Sequence, residues 1–368
     1  MPVRDSGMNQ ATPFLELPVV PPFRLDLTVA ALRRLATNPV DVLTPAGEYV
    51  RALAAATVGA RPPGGAPGAT AGPGVSTAAA HVPATAGPGA RSAATHLGAT
   101  ADPEAPSTGT HAGPTVVRVR QDRPDALQVS IRAAGHADSE SVLALLRRML
   151  GTDRDLAPFY AAASRIPWLA PLARRMRGLK PPRYPTLWEA CVNAIVFQQV
   201  SVHAASTIMR RLVAALGPEV ADEGVALRVF PAVDTLLSAP DDILRTAGLS
   251  AAKIGALRRA GEAIANGELD EATLEASDGA EAARLLRRVK GIGPWTATLI
   301  LLRGLGRLDV FPANDSGVAR SLAFVAGAAA FDAQADLEAL GPQRGMLYFH
   351  LLLARLEARG EIGRPTSA

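Results

Sequence analysis

Between Thr57 and Pro114 the chain has almost nothing to bury. The stretch is built from Ala, Gly, Pro, Thr and Ser, and it repeats itself every 15 residues. Ala-Thr-Ala recurs at Ala69, Ala84 and Ala99, with Pro73, Pro88 and Pro103 following in register and His81, His96 and His111 marking the repeat starts. A segment without large apolar residues cannot offset an ordering entropy of ~1–2 kcal/mol per residue. The evenly spaced histidines admit a metal-tract reading, but tandem duplication of a linker accounts for them. The stretch reads as a disordered insertion inside a domain, because regular patterning resumes directly after it.

On either side of the insertion the chain is patterned. Leu25, Leu27 and Val29 alternate, and Ala30, Leu32 and Leu35 follow, which predicts a strand running into a short helix. Past the insertion, Val117 and Val119, then Leu127, Val129 and Ile131, predict two half-buried strands. Asp138 or Ser139 is placed to cap a helix carrying Val142, Leu145, Leu146, Met149 and Leu150 on one face. Residues 18–150, interrupted by 57–114, are therefore expected to form an α+β N-terminal domain with a small antiparallel sheet.

Residues 151–360 are expected to form an all-α domain. Thr186 to Glu189 has the form of a capping box, and Ser201 and Ser250 stand at two further helix starts. A last helix is expected from about Pro342 to Gly360. Cys191, on the apolar face of the helix after Thr186, is expected to pack in the core.

Composition removes several classes of function. One cysteine excludes an internal disulfide, a cysteine-based zinc site and a four-cysteine iron–sulfur cluster. The longest charge-free apolar run, from Ser321 to Phe331, is far short of the ~20 residues a membrane span needs. Met1 to Gln10 carries charges and no apolar stretch, so no secretory leader is expected. A cytoplasmic, monomeric protein is the expectation. The net charge of +4 is mild. Its distribution is not: Arg165, Arg174, Arg175, Arg177, Lys180 and Arg183 occur with no acid between them, and Arg284, Arg287, Arg288 and Lys290 crowd one turn. Such groups can neutralise phosphates, or simply face solvent.

That turn is Gly291-Ile292-Gly293, and Pro294 opens the helix after it. Glycines there let the backbone approach a ligand, and the free amides of the second helix favour a phosphate. Asp315 follows 22 residues after Gly293, in Phe-Pro-Ala-Asn-Asp-Ser-Gly. Two helices joined by this turn, with a downstream aspartate, resemble the helix-hairpin-helix DNA glycosylase superfamily. Gly178 to Arg183, Ile195 to Ser201 and Gly248-Leu249-Ser250 with Lys253 resemble its 3-methyladenine DNA glycosylase II, or AlkA-type, branch. The blocks PPFRLDLTVAALRR and LTPAGEYVRAL resemble that branch's extra domain.

The resemblance implies a monofunctional enzyme that flips alkylated purines, of the 3-methyladenine and 7-methylguanine class, out of duplex DNA. It would hydrolyse the N-glycosidic bond and leave an abasic site. The implied catalytic residue is Asp315, which can stabilise the developing sugar cation or orient water; its ordinary alternative is a helix N-cap. Asp309 is the competing carboxylate and lies outside the motif. Trp295 stands where bifunctional members carry a Schiff-base lysine, and implies a base-stacking indole; core packing is the plain alternative. Gln198 and Tyr348 are the other expected base-pocket residues. Gln199 matches the wedge that fills the gap left by an extruded base, with a capping or solvated glutamine as the alternative. Lys290, Gly291, Gly293 and Thr296 are expected DNA contacts. The resemblance also implies a structural Na⁺ or K⁺ on the backbone carbonyls of Arg287, Val289 and Gly291, with no catalytic cofactor. Leu299 departs from the pattern, where other members carry a pocket tyrosine. A glycosylase for deaminated or oxidised bases, and a non-catalytic helix-hairpin-helix DNA-binding protein, are the competing readings.

Overall fold

The computed structural model describes residues 14–59, 113–133, 138–327 and 332–362. Most of the repeat tract, with its histidines, lies outside the described residues.

The first strands and helices are β1 (Leu15–Pro18), α1 (Leu25–Arg33), β2 (Val42–Leu43), β3 (Tyr49–Leu53), α2 (Ala55–Gly59), β4 (Thr115–Arg120), β5 (Ala126–Ala133) and α3 (Ser139–Leu150). The five strands form an antiparallel sheet in the order β1-β5-β4-β3-β2. The two expected strands are its centre, with Val117 opposite Ile131 and Val119 opposite Val129. Asp138 caps α3 by accepting from the amides of Glu140 and Ser141.

The strand expected at Leu25 to Val29 is instead part of α1. Leu25, Leu27, Thr28, Val29, Ala30, Ala31 and Leu32 are all buried there. A helix buried on nearly every side loses its one-face signature, and its apolar positions can mimic a strand. The edge strands β1 and β2 and the inner strand β3 went unread, because each is short and none alternates cleanly.

Then come α4 (Ala157–Ala163), α5 (Ala170–Arg175), α6 (Leu187–Val196), α7 (Val202–Leu216), β6 (Glu219–Asp222), β7 (Val225–Arg228), α8 (Val233–Ser238), α9 (Asp241–Thr246) and α10 (Ala251–Ala265). After them follow α11 (Glu271–Ala276), α12 (Gly279–Leu286), α13 (Pro294–Arg303), α14 (Ser316–Ala326), α15 (Ala333–Leu340) and α16 (Met346–Ala358). Side chains of Thr186, Ser201 and Ser250 cap α6, α7 and α10. The region is mostly helical, with one addition: the hairpin β6–β7. Leu227 and Val229 of this hairpin and the loop after it pack on Val50, Ala52 and Val116, so both faces of the sheet are covered. Arg118 of β4 pins the hairpin through Asp222 at 2.6 Å.

Both large hydrophobic clusters draw residues from either side of residue 150. One joins Leu17, Val129 and Leu146 to Ile195, Leu257 and Ile300. The other joins Leu27 and Leu35 to Phe159, Met176 and Phe349. The described residues belong to one compact unit. A dry ion network stitches it: Arg51 donates to Asp41 at 2.6 Å and to Glu189 at 2.5 Å, and Tyr49 donates to Asp41 at 2.8 Å. Two carboxylates share one buried guanidinium. Burial, only partly offset by Arg51, pushes Glu189 up to about 7. Glu189 thus serves the sheet contact, while Thr186 alone caps α6.

Candidate active site and nucleic-acid interface

Helix α12 ends at Leu286, and seven residues later α13 begins beyond Gly293. The buried Ile292 plugs this turn into the core. Its two glycines answer different demands. Gly291 sits at φ +110°, and a Cβ there would come within 2.5 Å of the Ala256 Cβ, so helix α10 requires it. A Cβ on Gly293 would meet nothing within 4 Å. Close approach to a ligand is therefore open at Gly293, whereas Gly291 is explained by packing.

The loop from Phe197 to Ser201, between α6 and α7, is tied to this turn. Gln198 Nε2 donates to the Gly291 carbonyl at 2.9 Å and to Thr296 Oγ1 at 2.8 Å. Both amide hydrogens of Gln198 are thereby used within the protein, and Oε1 is what it retains for a ligand. Thr296, expected as a DNA contact, is buried and holds this loop instead. Gln199 is exposed at φ +55°, in the left-handed region, beside the exposed Val200.

Asp315 combines two roles that the sequence left as alternatives. It is the N-cap of α14: Oδ1 accepts from the amides of Gly317 at 2.6 Å and Val318 at 3.0 Å. Its other oxygen, Oδ2, accepts from Trp295 Nε1 at 2.7 Å. A Cβ on Gly317 would lie 2.9 Å from Oδ1, so only glycine leaves this cap undisturbed. Trp295 likewise joins two roles, since it packs on the core while its N–H fixes the carboxylate.

These residues share a cleft of about 820 Å³. Gln198, Gln199, Gly291, Gly293, Trp295, Thr296, Asp315 and Tyr348 all line it. Lys290, Arg287 and Val289 do not line it: Lys290 and Arg287 point to solvent beside the turn, and Val289 packs on the core. Asp309 is elsewhere, in a second cavity with Arg154, Arg183 and Glu275.

The cleft also holds residues that sequence reasoning missed. Leu352 and Arg355 of α16 and Arg359 at its C-terminal cap line it at spacings of three and four, on the same helical face as the expected Tyr348. That helical stripe was a readable signal. Arg320 adds a further cation from α14, and Arg34 one from the end of α1. Burial works against the charge of Arg34, but Tyr184, Tyr348 and Asp315 around it more than compensate. No periodic pattern could have placed Arg34, because it depends on how α1 docks.

Two members of the long basic run face inward. Lys180 Nζ donates to the Arg154 carbonyl at 2.6 Å, and Arg183 donates to the Gly304 carbonyl at 2.8 Å and to Glu275 at 2.7 Å. They hold loops together and do not present charge to a phosphate. Cys191 is fully buried, and burial together with nearby Glu271 pushes its thiol up to about 12. It is an inert core residue.

The chain is similar to known proteins in sequence and in fold. The chain is 32% identical over 187 residues to the DNA-3-methyladenine glycosylase of Bacillus subtilis, and the match takes in 50% of this chain and 60% of that protein. It is 33% identical over 197 residues to the probable bifunctional transcriptional activator/DNA repair enzyme AlkA of Mycobacterium tuberculosis, covering 53% of this chain and 38% of that one. The chain thus spans about 60% or less of the length of these two relatives. In fold it is similar to the 3-methyladenine DNA-glycosylase from Archaeoglobus fulgidus, with a TM-score of 0.65 at 20% identity, over 94% of this chain and 98% of that one. Residues 192–341, which hold the hairpin, Asp315 and most of the cleft, match the HhH-GPD superfamily base excision DNA repair proteins, and this part of the chain is an HhH-GPD domain.

Proposed function

We propose that the protein is a monofunctional DNA glycosylase that extrudes alkylated purines from duplex DNA and hydrolyses their N-glycosidic bond. The observation that carries this reading is Asp315, a carboxylate oriented by three N–H donors at the wall of a cleft of base-holding size. Residues 18–150 act in this reading as a supporting domain for residues 151–360.

The chemistry follows from the geometry. As the C1′–N bond lengthens, its electron pair leaves with the base and positive charge grows on the sugar. The Asp315 carboxylate, fixed in advance by Trp295 and the α14 amides, stabilises that charge without reorganising. A water oxygen then bonds to C1′ and gives up a proton. Cationic bases such as 3-methyladenine are good leaving groups, so no strong general acid is needed. Arg320, Arg355 and Arg359 stand where they can meet phosphates of the extruded strand, joined by the exposed Arg287 and Lys290 beside the hairpin. Gln199 is the wedge candidate.

A structural Na⁺ or K⁺ on the carbonyls of Arg287, Val289 and Gly291 fits the turn. Val289 O already accepts from Ile292 N and Gly291 O from Gln198, and each keeps a second lone pair. Such an ion would attract phosphate and take no part in bond cleavage.

The lysine inventory supports hydrolysis without strand nicking. The chain has three lysines. Lys180 and Lys253 each spend Nζ on a backbone carbonyl, and Lys290 is not in the cleft. Single-turnover excision from methylated duplex DNA, with borohydride added, tests both claims. Free methylated purine and no trapped protein–DNA adduct is the expected result. Absence of excision refutes the glycosylase reading, and a trapped adduct refutes the monofunctional one.

A further inference from the structure

Helix α10 carries a glycine in its interior, Gly255, where alanine would serve the helix better. What it makes room for is the side chain one turn on. Arg259 folds back over it, as long helical side chains do toward the preceding turn, and a Cβ at Gly255 would come within 3.1 Å of Arg259 Nη1. A Cβ at Gly291 would stand 3.7 Å from Nη2. The guanidinium thus sits in a notch between a glycine of α10 and a glycine of the hairpin turn. From that seat Nε donates to the Lys290 carbonyl at 2.8 Å. The Gly291 carbonyl accepts from Gln198 Nε2 at 2.9 Å. The two carbonyls that flank the Gly291 Cα are therefore pinned by different segments.

A trans peptide is planar, and its N–H points away from its C=O. The Lys290–Gly291 peptide is trans, and its carbonyl is drawn toward α10. Its N–H, that of Gly291, is turned the other way. This N–H makes no hydrogen bond among the described residues, and Gly291 is exposed. The Cα of Gly291 is what packs on Ala256, so packing and donation use different sides of one residue. We infer that Arg259 is a positioning residue of the hairpin: by holding the Lys290 carbonyl toward α10, it aims the Gly291 N–H outward at a backbone phosphate of DNA. A guanidinium on the carbonyl also polarises the peptide and strengthens its N–H as a donor. Direct pairing of Arg259 with the phosphate is the less fitting role, because the guanidinium is seated over Gly255 and Nε is spent on Lys290. The inference rests on the DNA-binding reading above.

The test follows duplex Kd and its salt dependence, single-turnover excision and thermal melting in wild type, Arg259→Met, Arg259→Lys and Gly255→Ala. Arg259→Met should weaken duplex binding about tenfold, the share of one hydrogen bond to a charged group, with an unaltered salt slope. Its loss of excision should show at subsaturating enzyme and largely vanish at saturation. Arg259→Lys, which can donate to the same carbonyl, should recover most of the affinity. Gly255→Ala should raise the melting temperature and yet weaken binding, because the helix gains while the guanidinium is pushed off its seat. With isotope-labelled glycine, the Gly291 amide resonance should shift in Arg259→Met, and that of Gly293 should move less. Equal duplex affinity for wild type and Arg259→Met, or an unmoved Gly291 resonance, would overturn the inference. So would a salt slope reduced by about one, which would make Arg259 a phosphate ligand in its own right. A wild type that binds duplex but releases no base would remove the glycosylase reading, and the Kd values would still decide the role of Arg259.

Discussion

Two carboxylates stand in the first turns of helices and differ in nearly everything else. Glu189, in α6, is dry and spends its charge on Arg51, which also serves Asp41. Asp315, at the head of α14, is partly open to the cleft and accepts only neutral N–H groups. Both are satisfied, so hydrogen bonding alone does not mark a functional group. The difference lies in what is left over. Around Glu189 the charge is consumed by a neighbour. Around Asp315 it is oriented by neutral donors, while the cations Arg34 and Arg355 stand near it without a hydrogen bond to it, and a carboxylate so held faces a cation forming in the cleft.

Asp315→Asn should break the comparison most sharply. Asparagine caps helices as well as aspartate does but cannot also accept the Trp295 N–H, so thermal stability should fall by about 1–3 kcal/mol while affinity for an abasic-site analogue stays close to wild type. Excision should fall by ~10²–10⁴-fold. A loss smaller than tenfold would mean that the carboxylate is only a cap. Arg51→Met probes the other region. It strands two buried carboxylates, and chemical denaturation should show a loss of about 3–5 kcal/mol. Excision per folded molecule should be unaffected, and an equal fall in excision would show that the network reaches the cleft.

Gly317→Ala is a finer tool. The added Cβ must displace Oδ1 of Asp315 by a few tenths of an ångström. Loss of aim without loss of charge should lower excision roughly tenfold, a typical share of electrostatic preorganisation, with melting nearly unchanged. The smallest effect is a pH slope. Glu189 holds its proton more tightly folded than unfolded, so its contribution is most favourable below its ordinary value of 4.5 and declines as pH rises to about 7. Buried His350, held down at about 4, acts the opposite way, losing stability as pH falls from 6.5. Comparing urea midpoints of wild type and Glu189→Gln at pH 5 and pH 7.5 cancels the histidine. The wild type should lose on the order of 2 kcal/mol relative to the variant across that window.

The legible parts of this molecule were those written in local spacing. Helix caps at Thr186, Ser201 and Ser250 and the central strands follow from neighbours in sequence, whereas the hairpin was tied to its distant aspartate by family resemblance. Helix α1 was misread because burial on all sides removes periodicity. The inward turn of Lys180 and Arg183, the split duties of Gly291 and Gly293, and the arrival of Arg34 in the cleft depend on packing between remote segments. No local pattern carries that information.

The two bonds from Gln198 have a mechanical consequence. They fasten the tip that bears Gln199 to the glycine turn and to the first turn of α13. On the proposed DNA reading, the part that grips the backbone and the part that pries at the stack form one rigid tool. Each step of the grip along a duplex then carries the pry to the next base pair in register, so lesion search and lesion testing advance together.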